Sequence, residues 1–141
     1  MNKLDLLIVE DSELDGQLLE RIIRKENLSP DYLWLKDGNQ VIEYFLDVNN
    51  PLPKVVLLDI KLPKVNGLEV VKWLKNMERT QGIPVVMYSS SKQLKDLETS
   101  YRFGANSYLI KPVEYTLMKE QFIQFYRYWT SFNLTHYLNE Y

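Results

Sequence analysis

The chain has 141 residues, 45% of them hydrophobic and 26% charged, which suits one domain with an ordinary apolar core. Its 17 basic and 19 acidic side chains leave a formal net charge of -2, so there is no basic surplus to neutralise nucleic-acid phosphates. Cysteine is absent, which excludes disulfides, thiolate catalysis and Cys-ligated zinc and fits a reducing compartment.

The first apolar run, Leu4–Val9, is interrupted by Asp5 and ends in Glu10-Asp11, unlike a signal peptide. No stretch stays apolar for the ~18 residues of a membrane helix. A cytoplasmic domain without membrane contact is expected.

Leu4–Val9 is the first predicted strand. An amphipathic helix follows, its stripe made by Leu14, Leu18 and Ile22 with Leu19 and Ile23. Ser12 is placed to cap that helix, with Asp15 three residues on as in a capping box. Tyr32–Leu35 reads as the second strand and Gln40–Leu46 as the second helix. Val55–Leu58 and Leu68–Met77 form the third pair. The fourth is Val85–Tyr88 with Gln93–Phe103, after which Gly104 stands where a left-handed C′ residue ends a helix. Ser107–Ile110 is the fifth strand. In the last helix, Glu114–Trp129, the apolar residues Met118, Phe122, Phe125 and Trp129 recur at helical spacing.

Strands this short and rich in Val, Ile, Leu and Tyr are those of a buried parallel sheet. Five β–α units in strict alternation predict an α/β fold, a doubly wound five-stranded parallel sheet of flavodoxin-like type with strand order 2-1-3-4-5. One domain is expected over residues 1–129. Residues 130–141 are expected to be a short C-terminal extension, too short for an output domain.

In such sheets ligands bind at the carboxyl ends of the strands. Glu10 and Asp11 follow the first strand, Asp59 the third, Ser89 the fourth and Lys111-Pro112 the fifth. Singly, each has an ordinary structural role to hand. Glu10 or Asp11 could cap the next helix, Asp59 could be satisfied by loop amides, Ser89 could start a turn, and Lys111 could be solvated. Jointly they place carboxylates, a hydroxyl and an ammonium on one edge. Clustered carboxylates repel unless a hard cation neutralises them, and Mg²⁺ prefers oxygen ligands. A carboxylate can also act as nucleophile toward a phosphoryl group.

The segments LLIVEDS, VVLLDIKLPKVNGLEV, IPVVMYSSS and GANSYLIKPV resemble the signature segments of response-regulator receiver domains, from about Leu4 to the end of the last helix. That resemblance implies that Asp59 is the phosphoacceptor. It implies Mg²⁺ held by Glu10, Asp11, Asp59 and the backbone carbonyl of Lys61. It makes Ser89 the switch hydroxyl, Lys111 the phosphoryl-binding lysine and Tyr108 the aromatic that turns inward on activation, and it implies a cis Lys111–Pro112 bond. Glu10 where Asp is commoner, and Ser89 where Thr is commoner, keep the required oxygens. Position 90, usually very small, is Ser90. Within the family, IKLPKVNGLEVVKWLK, GANSY and YRYW are similar to stand-alone regulators of cyanobacterial-type phytochrome kinases. The implied partners are a sensor histidine kinase, phytochrome-like on this resemblance, and an unknown downstream protein. Lys61 and Ser91, each two residues beyond a functional position, are expected to flank the path of the hydrolysing water.

Half of the aromatics lie between Tyr115 and Tyr141. Phe122 and Phe125 belong to the core stripe, whereas Tyr126 and Tyr128 fall off it, as interface aromatics do. Similar regulators often pair through the face of the fourth helix, fifth strand and fifth helix, so a homodimer there, with Phe132 contributing, is expected.

Other phosphoryl chemistries fit less well. A haloacid-dehalogenase-like phosphatase needs a second aspartate where Lys61 stands. An FMN carrier would not place EDSELDG after its first strand. The Walker motif is missing. An inactive receiver would lack one of the residues that are all present here. The single histidine, His136, lies in the tail. The expected role is a phosphoacceptor switch rather than an enzyme.

Overall fold

Burial decides the character of the strands in the computed structural model, which describes residues 2–138. β1 (Leu4–Val9), β3 (Pro53–Leu58) and β4 (Val85–Ser89) are buried at nearly every position, while β2 (Tyr32–Leu35) and β5 (Ser107–Ile110) are half-buried edges. All pairings are parallel, in the order β2-β1-β3-β4-β5. This is the doubly wound, flavodoxin-like sheet expected from the alternation. The third strand begins earlier than predicted, at Pro53; proline is tolerated at the first strand position because no ladder donor is needed there.

Side-chain alternation divides the core in two. Leu7, Val9, Val56 and Leu58 face α2 (Gly38–Leu46) and α3 (Gly67–Lys75), whereas Leu6, Ile8, Val55 and Leu57 face α1 (Glu13–Lys25) and α5 (Tyr115–Arg127). Between β4 and β5 runs α4 (Leu94–Arg102). Short oxygen-bearing side chains start three of the helices: Ser12, Asp37 and Asn66 accept from the backbone N–H of Asp15, Gln40 and Glu69. α4 ends as predicted, with Gly104 at φ 108, a conformation that costs glycine nothing.

The last helix differs from its expected extent. Its α-helical part stops at Arg127, and a π-helical turn, Tyr128–Phe132, carries the chain onward. The tail then returns beneath the amino ends of the strands. The Lys54 ammonium donates to the Thr130 carbonyl at 3.2 Å, and the Tyr137 hydroxyl reaches the Pro53 carbonyl at 2.8 Å. Thr135 is buried and Tyr137 packs on the α2–α3 side of the core.

Tyr126 is not the free interface aromatic expected from its place off the stripe. It is half-buried against the α1–α5 core, because it follows Phe122 by four residues and so stands on the border of the same helical face. Tyr128 and Phe132 do emerge, 50% and 75% exposed.

Candidate functional site

Backbone bonds beyond the strands proper hold the site residues in place. Asp59 N–H donates to the Val9 carbonyl at 3.0 Å, Glu10 N–H to Leu35 at 3.0 Å, and Lys111 N–H to Ser89 at 2.9 Å. The carboxyl ends of β1, β2 and β3, and those of β4 and β5, are thereby tied to each other before any side chain acts. Asp59 is buried, as are Glu10 and Ser89, while Asp11 is exposed at the rim.

Glu10, Asp11 and Asp59 each offer a carboxylate oxygen within 4.8 Å of the others. Lys111 extends from β5 into the same pocket. Its Nζ lies 2.6 Å from Glu10 Oε1, 3.0 Å from Asp15 Oδ2 and 3.1 Å from Asp59 Oδ2, with the side chain 10% exposed. Glu10 Oε1 is fully buried, and the Lys111 ammonium is its close polar neighbour. Burial is the main reason the Glu10 carboxyl is pushed up to about 7, offset by Lys111 and reinforced by Asp59. For Lys111, burial favours the neutral amine. The surrounding carboxylates of Glu10, Asp59 and Asp15 outweigh that and hold its ammonium above the usual lysine range.

Three carboxylates converging in one all-oxygen set are what a hard divalent cation would satisfy. Asp59 thus shares one pocket with an ammonium and with two further carboxylates. The Lys61 N–H donates to Asp59 Oδ1 at 3.3 Å, and the Lys61 side chain is exposed.

The β3–α3 loop can return this closely only because position 67 is glycine. A Cβ on Gly67 would lie 2.0 Å from the Asp59 carbonyl oxygen, and the Gly67 N–H donates to Ile60 at 2.7 Å. Trp34 supports the other wall, its indole N–H donating to the Glu10 carbonyl at 2.8 Å.

Ser89 Oγ accepts from the Ser91 N–H at 3.0 Å, and the Tyr108 hydroxyl donates to the Ser91 carbonyl at 2.9 Å. The Ser91 hydroxyl, expected to flank the pocket, donates instead to Asp96 on α4 at 2.5 Å. The Lys111–Pro112 bond is trans, against the cis expectation, and no described peptide bond is cis. The trans form is favoured by about 0.5–1 kcal/mol in X–Pro bonds, and with it the lysine already meets three carboxylates.

Comparison with known proteins gives this pocket its family. The model of the response regulator receiver domain matches residues 6–122. The chain is a response regulator receiver domain. This receiver is 35% identical over 131 residues to the probable methanogenesis regulatory protein FilR2 of Methanothrix harundinacea (strain 6Ac), covering 91% of this chain and 84% of that protein. It is 32% identical over 110 residues to response regulator Rcp1 of Synechocystis sp. (strain ATCC 27184 / PCC 6803 / Kazusa), covering 75% of each. The structure of the Mn(2+)-bound form of Rcp1 superposes with a TM-score of 0.85 at 26% identity, over 94% of this chain and 98% of that one. The bacteriophytochrome response regulator AtBRR superposes with a TM-score of 0.72 at 32% identity, over 96% and 99% of the two chains. Receivers are switches of two-component signalling that work with a kinase and a downstream effector, and they bind Mg²⁺ or Mn²⁺ at an acidic pocket. No described helix of this receiver is long and apolar enough to cross a membrane.

Asp15 is the site residue that sequence reasoning missed. It read as a capping-box residue, but its carboxylate turns to Lys111, and the Ser12 N–H that such a box would satisfy donates to Glu10 Oε2 at 3.1 Å. Nothing in the spacing signals a partner 96 residues away.

Proposed function

We propose that this receiver takes a phosphoryl group from a sensor histidine kinase onto Asp59, with Mg²⁺ at Glu10, Asp11, Asp59 and the Lys61 carbonyl, and signals through altered protein contacts. The observation that carries this reading is the Lys111 ammonium 3.1 Å from Asp59, in a pocket where Asp59, Glu10 and Asp11 bring carboxylate oxygens within 4.8 Å of one another. An Asp59 oxygen attacks phosphorus, the bond from phosphorus to the kinase imidazole breaks, and the imidazole leaves with a proton from solvent. When bound, the cation supplies positive charge to the phosphoryl oxygens and relieves carboxylate repulsion. Lys111 supplies the protein's own positive charge, and positioning with charge neutralisation accounts for most catalysis in such transfers. Water later releases phosphate from Asp59, with Lys61 at the rim of its path.

Ser89 and Tyr108 form the switch in this reading. Both already bond to Ser91, so a Ser89 hydroxyl drawn toward the phosphoryl group would free the Ser91 N–H and loosen the loop that Tyr108 holds. Output then follows from the α4–β5–α5 face, which carries exposed Tyr101, Leu117 and Tyr128 and is proposed as a homodimer surface. The similarity to Rcp1 and AtBRR supports a phytochrome-type kinase, and the residues 130–141 are read as an extension of a receiver spanning 1–129.

Phosphotransfer profiling tests the reading. Purified autophosphorylated histidine kinases, phytochrome-type ones among them, are expected to lose label to this chain in Mg²⁺ and to keep it in EDTA. Failure with every kinase and with acetyl phosphate would leave an inactive receiver that acts only by binding.

A further inference from the structure

Three carboxylates hold the Lys111 ammonium, and they differ in what else they do. Glu10 and Asp59 belong to the cluster that can share one cation; Asp15 does not. Asp15 stands in the first turn of α1, where the Ser12 cap fixes its backbone N–H at 3.2 Å and the helix N-terminus favours a negative charge. Its carboxylate lies 3.0 Å from Nζ, and behind the ammonium the Tyr88 ring centroid is 5.4 Å away. A cation engaging Glu10 and Asp59 draws their charge toward itself and weakens their pull on the lysine. Asp15 alone then keeps its full charge for Lys111, whose flexible stem meets no other carboxylate among the described residues.

We propose that Asp15 is a positioning residue that keeps the Lys111 ammonium beside Asp59 once a divalent cation has engaged Glu10, Asp11 and Asp59. The inference rests on the phosphoacceptor reading above. It assigns Asp15 no contact with the phosphoryl group and no part in holding the cation.

The test follows Asp59 phosphorylation by acetyl phosphate, by intact mass, across donor concentrations at saturating Mg²⁺. Asp15→Ala is expected to lower the rate at saturating donor about tenfold, since small misplacements of a catalytic group cost up to about a hundredfold. The half-saturating Mg²⁺ concentration, read from tryptophan fluorescence, stays as in the parent, and Asp15→Glu restores much of the rate. Because Lys111→Ala itself slows the reaction, the pair is also read without chemistry, as a double-mutant cycle of urea midpoints at saturating Mg²⁺. Asp15→Asn serves in that cycle as the size-conserving variant. It is expected to shift the midpoint differently when Lys111 is present and when it is alanine. A saturating rate equal to the parent's, or additive midpoint shifts, overturns the role of Asp15 while a phosphorylated parent leaves the phosphoacceptor reading standing. A parent that takes no phosphoryl group from acetyl phosphate or any kinase overturns both.

Discussion

Glu10 is 1% exposed and shares its pocket with Asp59, so its negative charge is costly in the cation-free fold. Its carboxyl stands at about 7 against an ordinary 4.5, which means that the folded chain holds this proton more tightly than the unfolded one. The contribution of Glu10 to stability is therefore complete at low pH and is lost as pH rises through about 7. In EDTA, Glu10→Gln should melt progressively higher than the parent between about pH 5 and pH 8, and Mg²⁺ should narrow the gap at the upper end. Melting curves that stay parallel across that range would contradict the electrostatic account of this carboxylate. Glu10, Asp11, Asp59, Ser89 and Lys111 could be picked from the sequence because strand ends converge by topology alone. Asp15 could not, since its partner is chosen by the pitch of α1 and the reach of Lys111, neither of which leaves a mark in local spacing.

The β3–α3 connection shows how an element boundary sets the site. Gly67 opens α3 directly against the backbone of Asp59, so any Cβ there must displace the carbonyl of the proposed acceptor or the helix itself. Gly67→Ala is expected to cost about 1–3 kcal/mol, as overpacking does, and to slow phosphorylation because Asp59 moves. A urea midpoint and a phosphorylation rate both equal to the parent's would show that the loop yields freely. The strands themselves were legible almost to the residue, because buried parallel strands are continuous apolar runs. The end of the last helix was not. Met118, Phe122, Phe125 and Trp129 keep a helical period that does not distinguish an α-helix from one relaxing into a π turn at Tyr128.

On the scale of the whole molecule, the aromatic C-terminus has two separate uses. Tyr137 and Thr135 close the amino edge of the sheet, while Tyr128 and Phe132 stand outward beside α5. Sequence alone does not separate these uses, since only the return of the chain decides which side chains are covered. Sedimentation across a concentration series should show self-association that strengthens with BeF₃⁻ and weakens in Tyr128→Ala; a monomer at every concentration in both states would remove the dimer from the account. The phosphoacceptor claim itself stands or falls on one measurement, the intact mass of the chain after acetyl phosphate treatment. The parent should gain a single phosphoryl group in Mg²⁺ and none in EDTA, and Asp59→Asn should gain none in either. An Asp59→Asn chain that still carried the adduct would contradict the assignment.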